Sequence, residues 1–327
     1  MRAPKFWESN GLIPFSLKPL SYVWQVAACL RHLTTKPYSA PMPVLCIGNV
    51  VAGGAGKTPV ALDILQRLRQ RGHMPWALTR GYGGQQPGPL LIDRHHHTAA
   101  DVGDEALLLA EIAPTLVARN RPDGARLAAA HSAPALILDD GLQNPSLAKD
   151  LSLLVIDGAY GIGNGQIMPA GPLRESLSSA IDRCHAVIMI GSDVHGIAST
   201  LPKTKPILRA RFIPDNTATF SGQRVSAFAG IGRPEKFAAS LRDAGAEVVA
   251  FRSFADHHPY QEAEITQLIA DAGAAKAQLV TTAKDYVRLP SQFRDQVSVF
   301  RIKIAWDSVQ EIENLLDSFL AKGSGQK

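Results

Sequence analysis

The 327-residue chain predicts an α/β fold: a parallel sheet layered between helices, a second and smaller α/β unit, and an apolar, basic segment ahead of both. Three observations carry this. From residue 44 onward, short apolar runs of strand character alternate with segments of helical period. One such run, Val44 to Ile47, breaks into Gly53-Gly54-Ala55-Gly56-Lys57-Thr58, and another, Ala135 to Leu138, ends in Asp139-Asp140-Gly141. Between residues 200 and 222, Pro202, Pro206, Pro214 and Gly222 punctuate the chain, after which the strand and helix patterns resume. The expected units are residues 1–40 (N-terminal segment), 41–215 (core), 216–320 (smaller unit) and 321–327 (disordered tail).

Composition bounds the chemistry. With 46% hydrophobic and 19% charged residues the chain buries a large core and is not a disordered protein. Its net charge of +5 is spread without a long basic run, so nucleic acid is not indicated, and an anionic membrane surface or a phosphorylated substrate would also suit. Cys29, Cys46 and Cys184 are too far apart for a metal motif or a disulfide framework. His95, His96 and His97 are adjacent on a polar segment and read as a solvated loop.

The first strand and its glycines form a phosphate-binding loop. Gly53, Gly54 and Gly56 let the backbone curl with its N–H groups inward, and the helix that follows offers its N-terminus to anions. Lys57 reaches the outer phosphates, and the Thr58 hydroxyl suits magnesium. One departure is visible: the glycine expected six residues before the lysine is Val51. The pattern of Ala135 to Asp139 fits a strand beside the loop whose carboxylate supports the metal. Together they make the core a P-loop NTPase-type αβα sandwich.

Ahead of the core, residues 1–40 interleave Phe6, Trp7, Leu12, Phe15, Leu20, Tyr22 and Trp24 with Lys5, Lys18 and Arg31. Lys18, Pro19 and Gln25 interrupt any spanning run, so the membrane reading is an interfacial amphipathic helix, and packing on the chain's own core is the alternative. Val26-Ala27-Ala28-Cys29 is a poor lipoprotein box, because the region before it carries Glu8, Lys18 and Pro19.

After the loop helix, the strand Trp76 to Thr79 delivers Arg80 and Tyr82 toward the same sheet edge, for a phosphate, a sugar or only a turn. Asp104 and Glu105 precede a helix expected over Ala106 to Ile112, and capping explains them as well as magnesium or a hydroxyl does. Arg121 follows a short apolar run, and Arg174 sits in a long Gly/Pro-rich connection suited to anions. In the smaller unit, Gly230-Ile231-Gly232 is weak evidence of a second nucleotide. Asp256-His257-His258 either orients a base or caps a helix. Thr282-Ala283-Lys284-Asp285 has its lysine one residue too near the aspartate for guanine reading.

In this order the pieces resemble the tetraacyldisaccharide 4′-kinase family of lipid A synthesis. The matching stretches are Gly48-Asn49-Val50 with Gly53-Gly54-x-Gly56-Lys57-Thr58-Pro59, Thr79-Arg80-Gly81-Tyr82-Gly83, Val102-Gly103-Asp104-Glu105, Asp139-Asp140-Gly141-Leu142-Gln143, Gly171-Pro172-Leu173-Arg174-Glu175, Phe254-x-Asp256-His257 and Thr282-x-Lys284-Asp285. The resemblance implies an enzyme on the cytosolic face of the inner membrane that uses ATP and Mg2+ to phosphorylate the 4′-hydroxyl of a tetraacyldisaccharide 1-phosphate. It implies that Asp104 and His257 are the catalytic dyad, that Glu105 and Asp139 lie near the magnesium with Thr58, and that Arg121 and Arg174 meet substrate or phosphate. It also favours the membrane reading of residues 1–40, without an obligate protein partner. Two rival classes are a soluble small-molecule kinase and a partition-type nucleotide switch at the membrane.

Overall fold

Runs of buried leucine, isoleucine and valine set the strands. The computed structural model describes residues 4–324, with side chains through residue 321, and contains thirteen strands among them. In chain order they are β1 (Val44–Gly48), β2 (Trp76–Thr79), β3 (Leu90–Leu91), β4 (Thr115–Val117), β5 (Leu136–Asp139), β6 (Leu151–Asp157), β7 (Ala186–Ile190) and β8 (Ile207–Pro214). The others are β9 (Arg224–Ala229), β10 (Glu247–Ser253), β11 (Gln278–Thr282), β12 (Ser298–Phe300) and β13 (Ile302–Trp306). A nine-stranded sheet runs β13-β8-β7-β6-β1-β5-β2-β4-β3, parallel except at its two edges, and a four-stranded parallel sheet runs β10-β9-β11-β12.

Strand alternation sorts the large sheet's side chains onto two faces. Val44, Cys46, Leu136, Leu138, Leu154 and Val187 meet the helices Arg121–Ala130 and Leu177–Arg183 on one face. Leu45, Ile47, Ile137, Leu153 and Ile188 meet the loop helix Lys57–Gln70 and the C-terminal helix Val309–Ser324 on the other. Such burial on both faces is why these strands read as near-continuous apolar runs. In the small sheet, Val225 and Ala227 pack against Phe237 and Leu241, and Phe228 and Leu279 against Ile265 and Leu268.

The loop follows β1, which is paired on both sides, with β5 and with β6. The register places Asp139 opposite Ile47, so the β5 carboxylate emerges at the mouth of the loop. Because β2 and β4 are parallel to β5 and to each other, Arg80 and Arg121 leave the sheet at that same edge.

The structure departs from the sequence reading at the C-terminal end. The apolar run 297–304 is two strands in two sheets: Phe300 is buried in the small core, and Ile304 and Trp306 in the large one. Between them Arg301 pairs with Glu111 at 3.0 Å. The smaller unit expected over 216–320 therefore gives up β13 and the C-terminal helix to the core. Both are fastened to the loop helix, β13 by Trp306 Nε1 donating to Asp63 Oδ2 at 2.9 Å and the C-terminal helix by Glu313 pairing with Arg67 and Arg71. That helix continues to Ser324, through part of the expected tail, while 325–327 lie outside the described residues. β8 falls in the punctuated stretch 200–222.

At the other end a helix spans Leu12–Thr34, and Pro14 and Ser21 are its buried residues. Hydrogen bonds seat this segment on the Gly/Pro-rich connection, among them Trp7 Nε1 to the Pro169 carbonyl (3.1 Å), Ser21 Oγ to that of Ile167 (2.7 Å) and Trp24 Nε1 to that of Arg174 (3.0 Å). Its apolar side chains turn outward instead, with Leu12 87%, Phe15 70% and Leu33 78% exposed. Among the described residues no helix is long and apolar enough to cross a membrane.

Candidate active site

Gly56 caps the loop helix at φ +85°, and a Cβ there would meet the Phe212 ring at 2.6 Å, so both backbone and space demand glycine. The next two residues begin the helix. Lys57 Nζ donates to Asn49 Oδ1 at 3.0 Å and stands 3.6 Å from Asp140; burial lowers its pKa, and Asp140 works in the opposite direction. Thr58 Oγ1 donates to Asp139 Oδ2 at 3.2 Å.

Asp139 is buried, and its other oxygen has no partner. Burial pushes this carboxyl up to about 7, against the pull of Lys57 and with a further push from Asp140. Asp140 has the reverse fate: burial would raise it, but Lys57 and Arg174 hold it below the usual carboxylate range. Arg174 grips both its oxygens, at 2.8 and 2.9 Å, and its backbone takes the left-handed φ of +55°.

On the opposite wall, Gly103 turns the chain into the short helix Asp104–Ala110. Asp104 is buried, and its Oδ1 accepts from the Glu105 N–H at 3.0 Å. Around Oδ2 stand His257 Nδ1 at 3.0 Å, Arg288 Nε at 3.3 Å and Lys284 Nζ at 3.9 Å, all from the smaller unit. None is aimed squarely enough to count as its hydrogen bond, which leaves Oδ2 an acceptor in waiting. Burial would raise the Asp104 pKa, but His257, Lys284 and Arg288 outweigh it and keep the carboxylate ionised well below the ordinary range. Glu105 is instead raised, by burial and by Asp104, although Lys284 lies 3.1 Å from it.

His257 occupies a left-handed backbone conformation, φ +59°, which is strained for a histidine. Its N–H donates to the Gly230 carbonyl at 3.1 Å, and the edge-on Tyr82 ring lies 5.5 Å away. Asp104, Glu105 and His257 each offer one atom within 4.8 Å of the others, a spacing that would suit a cation; the Lys284 ammonium already stands among them.

The cleft between the walls has a volume of about 2360 Å³ and takes in Arg80, Tyr82, Arg121 and Arg174 along with the loop and His257. Arg121 is almost wholly buried; it donates to the Ala118 carbonyl, its Nε has no partner, and burial draws its pKa down to about 10. Gly230, weakly suggestive of a nucleotide in sequence, is occupied otherwise. Its N–H donates to Asp285 Oδ1 (2.8 Å) and its carbonyl accepts from Arg288 (3.0 Å). The His95–His97 stretch is a surface turn organised by Asp93.

Sequence reasoning passed over four residues in and behind this cleft. Asn49 and Asp140 sat inside recognised motifs without a role, and Lys284 was weighed only as a guanine reader. Arg288 carries no local signal at all, since its place depends on the smaller unit folding over Asp104.

A polyphosphate cradle on one wall and a shielded carboxylate on the other, separated by a cleft that two folding units close, define a P-loop phosphotransferase. A family model described as tetraacyldisaccharide-1-P 4′-kinase (LpxK) matches residues 13–321, and the chain belongs to that family. Tetraacyldisaccharide 4′-kinases of Rhodospirillum centenum and Rhodospirillum rubrum are 49% and 48% identical to it, covering 98% of this chain and 97% and 98% of their own lengths. The LpxK of Aquifex aeolicus, solved in complex with ATP, superposes with a TM-score of 0.75 at 25% identity, over 94% of this chain and all of that one.

Proposed function

We propose that the chain transfers the γ-phosphoryl group of ATP to the 4′-hydroxyl of a tetraacyldisaccharide 1-phosphate, with Asp104 as the base. The observation that carries the assignment is the buried Asp104 Oδ2, ringed by His257, Lys284 and Arg288 yet accepting no hydrogen bond. An acceptor hydroxyl can donate to that oxygen. Its charge-stabilised carboxylate stays ionised at neutral pH, ready to take the proton as the oxygen attacks phosphorus.

On the facing wall, the loop backbone from Gly53 to Gly56 and the helix N-terminus cradle the phosphates. Lys57 moves from Asn49 and Asp140 to the outer phosphate oxygens. Arg174, held on Asp140, and Arg121, with its free Nε, supply further positive charge to the cleft. Arg80 and Tyr82 serve the sugar side. The orphaned Asp139 Oδ1 beside the Thr58 hydroxyl suits magnesium, with Glu105 across the cleft. Magnesium bound there would neutralise charge on the transferring phosphate.

His257 reaches the base from the smaller unit, so closure of that unit completes the site and sheds water that would otherwise hydrolyse ATP. The outward apolar face of the helix Leu12–Thr34 enters the cytosolic leaflet of the inner membrane, where the substrate's acyl chains remain. The test is transfer of labelled γ-phosphate from Mg-ATP to tetraacyldisaccharide 1-phosphate in mixed micelles. Product at the 4′ position, lost by at least a hundredfold in Asp104→Ala and His257→Ala, is expected. ATP turnover without lipid product would sink the reading.

A further inference from the structure

Among the described residues, Lys284 is the ammonium that stands against both halves of the base. Its Nζ stands 3.3 Å from His257 Nε2 and 3.1 Å from Glu105 Oε1, with Asp256 Oδ1 at 3.8 Å and Asp104 Oδ2 at 3.9 Å. An ammonium has three protons to donate and no lone pair with which to accept. Whatever nitrogen faces it must therefore be an acceptor. Of the two neutral tautomers of His257, only the one with its proton on Nδ1 leaves Nε2 free, and Nδ1, 3.0 Å from Asp104 Oδ2, then carries a proton and not a lone pair on the carboxylate's side.

We propose that Lys284 is the positioning residue of the catalytic pair: by donating to Nε2 it fixes the His257 tautomer whose Nδ1–H supports Asp104. The inference rests on Asp104 acting as the base. In the opposite tautomer a nitrogen lone pair would oppose the carboxylate, and Asp104 would lose both its orientation and the partner that steadies it.

The backbone around Lys284 is fixed for this task. Lys284 lies in the single helical turn Ala283–Tyr286, where Thr282 Oγ1 accepts from the Asp285 N–H at 3.1 Å. The Asp285 carboxylate is saturated by the Gly230 N–H (2.8 Å), the Tyr260 hydroxyl (2.7 Å), the Thr282 hydroxyl (2.6 Å) and Arg288 (3.1 Å). Arg288 Nε in turn donates to the Lys284 carbonyl at 3.1 Å. A fully satisfied buried knot of this kind holds its members rigidly. The lysine stays an ammonium throughout: burial alone would lower its pKa, but Glu105, Asp104 and Asp256 together raise it above the ordinary value.

The test uses the full chain labelled with ¹⁵N-histidine. Two-bond proton–nitrogen correlation distinguishes the tautomers, and the His257 signal is assigned by its loss in His257→Gln. The wild type is expected to carry its proton on Nδ1, and Lys284→Met to shift toward the Nε2–H form. Its kcat is expected to fall at least tenfold with KM for ATP within twofold, and Lys284→Arg to restore the tautomer and part of kcat. A wild-type Nε2–H signal overturns the proposal whether or not any variant folds. So does a Lys284→Met enzyme that keeps both tautomer and kcat. Failure of the wild type to phosphorylate lipid would strike the function assigned above and leave the tautomer result standing.

Discussion

Replacing Asp139 with asparagine isolates the cost of burying its carboxylate. Below pH 3.8, the ordinary aspartate value, the carboxyl is protonated in the folded and the unfolded chain alike and pH has no leverage through it. Between 3.8 and about 7 the unfolded chain has released the proton while the folded chain keeps it, so stability falls as pH rises. Above about 7 the deficit is constant. At ~1.36 kcal/mol per pH unit the interval of about three units caps the loss near 4 kcal/mol.

Asp139→Asn removes the charge and keeps an oxygen for the Thr58 hydroxyl. The nucleotide-free variant is therefore expected to melt close to the wild type near pH 4 and above it at pH 8.5. At roughly 2–4 °C per kcal/mol the gap would reach several degrees. Thermal melts in EDTA across that range measure it, and adding Mg-ATP should reverse the order, because the wild type gains a metal ligand that asparagine supplies poorly. Parallel pH profiles, or an asparagine variant that is the less stable at pH 8.5, would refute the reasoning.

Two further outcomes follow from packing. A Cβ on Gly230 would meet the Ala255 carbonyl oxygen at 2.9 Å and the Tyr260 hydroxyl at 3.0 Å, so Gly230→Ala should cost about 1–3 kcal/mol and lower kcat by loosening Arg288 and Asp285; an unchanged melting curve would contradict this. On the helix Leu12–Thr34, Phe15→Ser with Leu33→Ser should weaken partitioning onto anionic vesicles by about a hundredfold, taking ~1.5 kcal/mol per apolar side chain. Flotation measures this, and equal flotation would argue that the outward face serves something other than lipid.

Much of the large sheet was legible because its strands are buried on both faces. Trp76–Thr79 and Ala186–Ile190 begin and end where the apolar pattern does, as Gln278–Thr282 does in the small sheet. The run around Phe300 and Ile304 was not, since alternation along a strand carries no mark of which sheet the strand joins. In the cleft, residues bound to a local pattern could be named: Lys57 and Thr58 follow glycines, and Asp139 ends a strand. Asp104 and His257 were named through family resemblance, because capping accounts equally well for acids at a helix start. Lys284 and Arg288 act across 180 residues or more of intervening chain, on Asp104, and no spacing rule reaches that far.

The return of β13 and the C-terminal helix to the large sheet also dictates when this protein can become itself. A ribosome delivers the loop helix Lys57–Gln70 about 240 residues before the strand and helix that cover it. Until Ile304, Trp306, Ile312 and Leu316 arrive, that helix and the flank of β8 lack part of their apolar cover. The smaller unit has by then emerged whole. Nascent chains must therefore carry a finished appendage on an unfinished core, and shelter for that exposed surface is needed until synthesis is nearly done. A stop codon just after the smaller unit would leave the strands of the small sheet complete and take from the loop helix the cover of β13 and the C-terminal helix.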